Sequence, residues 1–75
     1  MKELIEYIAR SLVAHPESVK VTQVEGHQSI IFELTVAQED MGKIIGKEGR
    51  IANAMRTLLK VAAAREGKRA VLEII

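Results

Sequence analysis

Apolar residues recur along this chain with two different periods. Leu4, Ile5, Ile8 and Leu12 share one helical face, which predicts a helix over residues 2–14; Pro16 keeps His15 out of helical geometry and ends it. Period two takes over at Ser29–Val36, where Ile30, Phe32, Leu34 and Val36 alternate with Ile31, Glu33 and Thr35, the pattern of a half-buried strand. Ser18–Val24 reads as a partner strand. Val19 and Val21 share a face there, but Val24 falls out of step, so a bulge or an early end is expected. Glu25, Gly26 and His27 form a hairpin link, which makes the two strands antiparallel. Gln38–Ile45 predicts a short helix with Glu39 and Asp40 in its first turn, where the helix dipole favours acids. Arg50–Glu66 predicts a long helix stopped by Gly67, and Ala70–Ile75 a last strand with Leu72 and Ile74 on one face. The order is αββααβ, without repeat or linker: one α+β domain over residues 1–75.

Composition narrows the class. A chain of 75 residues has room for one core, and 48% hydrophobic residues are too many for a disordered chain. With no cysteine, neither a disulfide nor a thiolate metal site is available, and a reducing cytoplasm is the easiest fit. MKELIEYIAR carries charges throughout, and no stretch approaches the roughly 18 apolar residues of a membrane span, so a complete cytosolic protein is expected.

The net charge of +1 conceals a polarity. Residues 1–41 hold three basic and seven acidic side chains, a balance of −4, whereas residues 42–69 hold eight basic against two acidic, a balance of +6. Polyanions respond to such local fields.

At the centre of the basic half stands KIIGKEGRIA, residues 43–52. Gly46 and Gly49 join the short helix to the long one. They free the backbone to turn, and without side chains they let a ligand touch the main chain. The first N–H groups of the helix beginning near Arg50 have no partner within it; with the dipole and Lys43, Lys47 and Arg50 they compose an anion site. The spacing is neither GxGxxG nor GxxxxGK[ST]. A helix–turn–helix corner that needs glycine only for its turn is the alternative.

The run Ile44-Ile45-Gly46-Lys47-Glu48-Gly49, on a helix–loop–helix within an αββααβ order, resembles the KH domains, whose GXXG loop clamps about four nucleotides. That order is the type II, bacterial arrangement, a three-stranded sheet packed against three helices. MKELIEYIARSLVAHPESV, DMGKIIGKEGRIANAMRTLL and VLEII extend the likeness along the whole chain to the small stand-alone bacterial KH proteins of the KhpA family. Many KH signatures place isoleucine three residues after the second glycine; here that position is Ala52, with Ile51 one earlier. Glu48 also sets a carboxylate in a loop meant for phosphates.

The resemblance implies single-stranded RNA in a groove beside the loop, with phosphates on Gly46, Lys47, Glu48 and Gly49. It implies charge from Lys43, Lys47 and Arg50, and an apolar floor near Ile44, Ile45 and Ile51, each of which also reads as a core residue. It also implies a homodimer, or a heterodimer with a larger KH-containing protein, KhpB, and roles in RNA chaperoning, post-transcriptional control, cell elongation and envelope homeostasis. A dimerisation or adaptor module whose partner binds the RNA is the second reading.

The long helix bears on that choice. Its apolar residues cover an arc of roughly 200°, about twice what one sheet requires, which leaves Ala54, Leu58 and Val61, with Ala63 at the other margin of the arc, for another copy or a partner. Other chemistry is not indicated. His15 and His27 have no cysteine or acidic companions at metal spacing, Ser11, Ser18 and Ser29 lie in no motif, and one Tyr and one Phe make no stacking platform. No enzyme, cofactor, metal site, small-molecule substrate or membrane is expected.

Overall fold

The computed structural model describes residues 1–75. Helix α1 runs Lys2–Leu12, strand β1 Lys20–Glu25, β2 Ser29–Thr35, helix α2 Met41–Ile45, α3 Arg50–Ala64 and β3 Arg69–Ile74. Short 3-10 turns at Pro16–Ser18, Gln38–Asp40 and Lys47–Gly49 lead into β1, α2 and α3. The architecture is α+β with the predicted order, and a three-stranded sheet of order β1-β2-β3. β1 pairs antiparallel with β2, and β2 pairs parallel with β3, with Phe32 opposite Gln23 on one side and Leu72 on the other.

The alternation of β2 decides which face is covered. Ile30, Phe32 and Leu34 are closed to solvent and meet Ile5 and Ala9 of α1, Ile44 of α2, and Met55 and Leu59 of α3 in one core. α1 is shorter than the predicted 2–14 and turns Ile5 and Ala9 inward, while Leu4 and Leu12, expected on that face, are left at its margins.

β1 corrects the sequence expectation. It begins at Lys20 rather than Ser18 and runs without a bulge to Glu25, in continuous register with β2. Burial on β1 stops at Val21 although pairing does not, since the positions that follow on its covered face are the polar Gln23 and Glu25. Val24 is 53% exposed and stands opposite Ile31 on the open face.

α3 closes by a Schellman arrangement. Lys68 N–H donates to the Ala63 carbonyl at 2.9 Å and Gly67 N–H to that of Ala64 at 3.1 Å, with Gly67 at φ 69°. Gly67 therefore stops the helix as expected, although the regular helix ends at Ala64 and Arg65–Gly67 form the closing turn.

Candidate nucleic-acid interface

The two glycines do different work. Gly46 ends α2, its N–H donating to the Gly42 carbonyl at 2.8 Å, and adopts φ 76°, ψ 176°, a region that only glycine visits at low cost. A β-carbon there would lie 2.7 Å from Cγ1 of Ile51. Ile51 is thus packed beneath the loop, and the turn exists because nothing projects from Gly46. Gly49, at φ 74°, ψ 14°, is the left-handed residue before Arg50, and a β-carbon on it would meet only Asn53 Nδ2 at 3.7 Å. Gly49 N–H donates to the Gly46 carbonyl at 3.2 Å and closes the turn.

Between them Glu48 is left-handed too, φ 57° and ψ 26°, although it carries a side chain. Successive unusual residues ahead of a helix make the concave run of N–H groups that suits an anion. No side chain caps α3; the Arg50 N–H is taken by the Lys47 carbonyl, so an anion on the loop side would be met by the N–H groups that follow it and by the helix dipole.

The charges around this loop are unequal. Lys47 has no acidic partner within 4.0 Å. Arg50 and Glu48 approach to 3.4 Å while both are largely exposed, so the pair is weak and opens at little cost. Lys43 lies 3.5 Å from Asp40.

As a floor residue Ile44 requires a correction. Of its two readings, a place near the groove floor or a core residue, the structure takes the second: it is wholly buried in the core, because α2 turns it toward the sheet. Its side chain supports the loop from behind. The apolar surface beside the loop belongs to Ile45, 40% exposed, and half-buried Ile51, while Ala52 is buried. On the far side of α3, Arg56 reaches the outer edge of β3, donating through Nε to the Leu72 carbonyl at 3.4 Å and through Nη1 to Asn53 Oδ1 at 3.2 Å.

Asp40 is the residue that sequence reasoning misplaced. It was expected to serve the dipole of a short helix. Instead Gln38–Asp40 is a separate 3-10 turn, and the Asp40 carboxylate, 1% exposed, accepts the N–H of Ala14 at 3.1 Å and of His15 at 3.0 Å. It ties the α1–β1 connection to the start of α2 and so holds the helix that presents the loop. His15 lies beyond the end of α1, out of reach of its dipole, with its imidazole between Glu17 and Glu39 at 3.5 and 3.4 Å.

Burial pushes the Asp40 carboxyl up, but the N–H donors of Ala14 and His15 and the charges of Lys43 and His15 outweigh it and hold it below the ordinary aspartate value. Its contribution is therefore complete above about pH 4, where an unfolded aspartate is ionised, and is lost as pH falls through the lower folded value. Asp40→Ala is expected to lower Tm at pH 7 by roughly 5–15 °C. The gap to wild type should narrow as the pH approaches about 2. A gap independent of pH would mean that the carboxylate charge contributes nothing.

The remaining candidates stay apart. Ala54, Leu58 and Val61 lie on the solvent side of α3, with Leu58 49% and Val61 54% exposed, away from the buried row Ala52, Met55, Leu59 and Ala63. No group of three or more His, Asp or Glu side chains is placed to hold a metal ion. No helix is long and apolar enough to cross a membrane.

Residues 2–74 match the family model described as KhpA/KhpB, KH domain. The chain is 63% identical to the RNA-binding protein KhpA of Clostridium acetobutylicum and 60% identical to that of Caldanaerobacter subterraneus, over the full length of both partners in each case. Against the RNA-binding protein KhpA of Chlamydia pneumoniae the identity is 52%, over all of this chain and 96% of the relative. No solved structure gives a significant match. With its loop on the helix–loop–helix corner of an αββααβ domain and a family match over nearly every residue, the chain belongs to the KhpA/KhpB KH-domain family.

Proposed function

We propose that this protein binds single-stranded RNA, with the sugar–phosphate backbone clamped on Gly46–Gly49 and charge supplied by Lys43, Lys47 and Arg50. The observation that carries the reading is the loop itself. Its backbone is bent into left-handed geometry, bare of side chains at both glycines, and leads into an uncapped helix. Bases would lie against Ile45 and Ile51, with Ile44 as their support from within the core.

Neutralisation of two or three phosphates gives a slope of log affinity against log salt of about −1.4 to −2 for a single strand. Fluorescence anisotropy with a single strand and with a duplex of the same sequence tests the reading. The single strand should bind more tightly, since it exposes base edges that a duplex hides. Equal affinity for the two would reduce the interaction to nonspecific charge attraction.

The same proposal includes assembly. Ala54, Leu58 and Val61 form an exposed apolar row with small side chains at one end, suited to close approach of a second helix. A dimer, either of two copies or with a larger KH-containing protein of the KhpB kind, would cover it and stabilise a short chain. The family resemblance supports a cytoplasmic role in RNA chaperoning and post-transcriptional control, tied to cell elongation and envelope homeostasis. Val61→Glu should convert a dimer into a monomer in sedimentation. A wild-type protein that is monomeric at high micromolar concentration would contradict the homodimer.

A further inference from the structure

Helix α3 has three faces. One is the buried row of Ala52, Met55, Leu59 and Ala63, and the second is the apolar row of Ala54, Leu58 and Val61. The third, about 120° from each of the others at 100° per residue, carries Asn53, Arg56, Lys60 and Ala64 along the outer edge of β3. Arg56 is fixed on that seam by the Leu72 carbonyl. At its end the seam opens into a shallow depression of about 560 Å³ lined by Lys60, Ala64, Lys68, Arg69 and Ala70. A second depression next to it adds Gln28 and Ser29 and has no apolar lining residue.

The cations here are arranged unequally. Lys68 is held by Glu25 at 2.6 Å, which fixes the α3–β3 connection against the hairpin and takes up the nearby carboxylate. Lys60 and Arg69 have no acidic partner within 4.0 Å. The depression therefore presents two unpaired cations beside neutral polar donors, with unpaired Arg65 at the end of α3 outside its lining, whereas the loop at the other end presents one, Lys47. An apolar peptide finds little to bury in such a lining; a solvated chain of phosphates finds charge and donors.

We infer that Lys60 and Arg69 form a second phosphate-binding site, and that one single strand of RNA runs from the loop along the α3–β3 seam past Arg56 to reach it. This rests on the reading of the loop as a phosphate clamp. Arg50 and Ala64 are about 21 Å apart along the helix, so a strand touching both ends must be longer than the roughly four nucleotides that a KH loop holds.

The test is anisotropy with oligouridylates of about 4 and 12 nucleotides on wild type and on Lys60→Ala/Arg69→Ala. Both positions are exposed, and a thermal melt checks that the variant is folded. Wild type should bind the longer strand at least about tenfold more tightly. The variant should bind the short strand as wild type does, lose most of the gain with length, and show a salt slope on the long strand smaller by about 1.4. Two loops of a dimer sharing one long strand would also give a gain with length, but that gain would survive in the variant. Unchanged long-strand affinity and slope in the variant overturn the second site and leave the loop reading intact. A wild type that fails with the short strand, yet binds the long one through Lys60 and Arg69, overturns the loop reading and keeps this site. No binding of either strand overturns both.

Discussion

Replacing Lys47 and Glu48 together by aspartate abolishes RNA binding and leaves the fold in place. The substitution turns the one unpaired cation of the loop into an anion where a phosphate would lie. Like charges forced together cost several kcal/mol, so affinity should fall by about 100-fold or more. Both side chains are exposed, and surface changes usually shift stability by less than about 0.5 kcal/mol. Glu48 is left-handed, and aspartate tolerates that conformation at least as well. The double variant should therefore melt within about 3 °C of wild type. Sedimentation should also be unchanged, since Ala54, Leu58 and Val61 lie outside the loop. Retained RNA affinity in a folded variant would mean that the glycines only turn the chain. The mirror change, Glu48→Lys, frees Arg50 and should tighten binding without altering base preference.

Alanine at Gly46 produces the largest loss of stability of any single loop change. It combines a backbone region closed to side chains with a β-carbon 2.7 Å from Ile51, itself packed on the core. Each of these costs about 1–3 kcal/mol, which together lower Tm by roughly 10–40 °C. Two neighbouring glycines serve as internal controls. Gly49→Ala meets only strain at φ 74°, with ordinary contact to Asn53, and should cost about 1–2 kcal/mol. Gly42 sits inside α2 with open space where a β-carbon would go, so Gly42→Ala should stabilise by about 0.5–1 kcal/mol. Thermal melts of the three variants rank them. An order other than Gly46, Gly49, Gly42 would show that the close approach of Ile51 is not what fixes the loop.

Much of this was legible in the sequence because the signals are local. The period-two run Ile30-Phe32-Leu34 defines a covered face, Gly67 marks a helix end, and the paired glycines mark a backbone that side chains would obstruct. What escaped depends on distance along the chain. The partners of Asp40 lie 25 and 26 residues before it, and nothing near Gln38-Glu39-Asp40 announces them. Val24 looks out of register only if every valine of β1 is assumed to face the core; it belongs to the open face, opposite Ile31. Ile44 and Ile45 are adjacent and equally apolar, and only the placement of α2 on the sheet separates a core residue from an exposed one. Glu48 gives no sign of its left-handed backbone, since glutamate has no preference for it. The cations at the end of α3 scatter through the sequence as Lys60, Lys68 and Arg69, and β3 folding back along α3 brings them together.

The central claim, a phosphate clamp at Gly46–Gly49, is tested most directly by observing the backbone amides during titration with a short single strand. In a two-dimensional nitrogen–proton spectrum, the amides of Gly46 through Ile51 should shift first and furthest. Smaller shifts should follow at Ile45 and along β3, and none at the hairpin turn around His27. Saturable binding that leaves those amides unmoved would contradict the account.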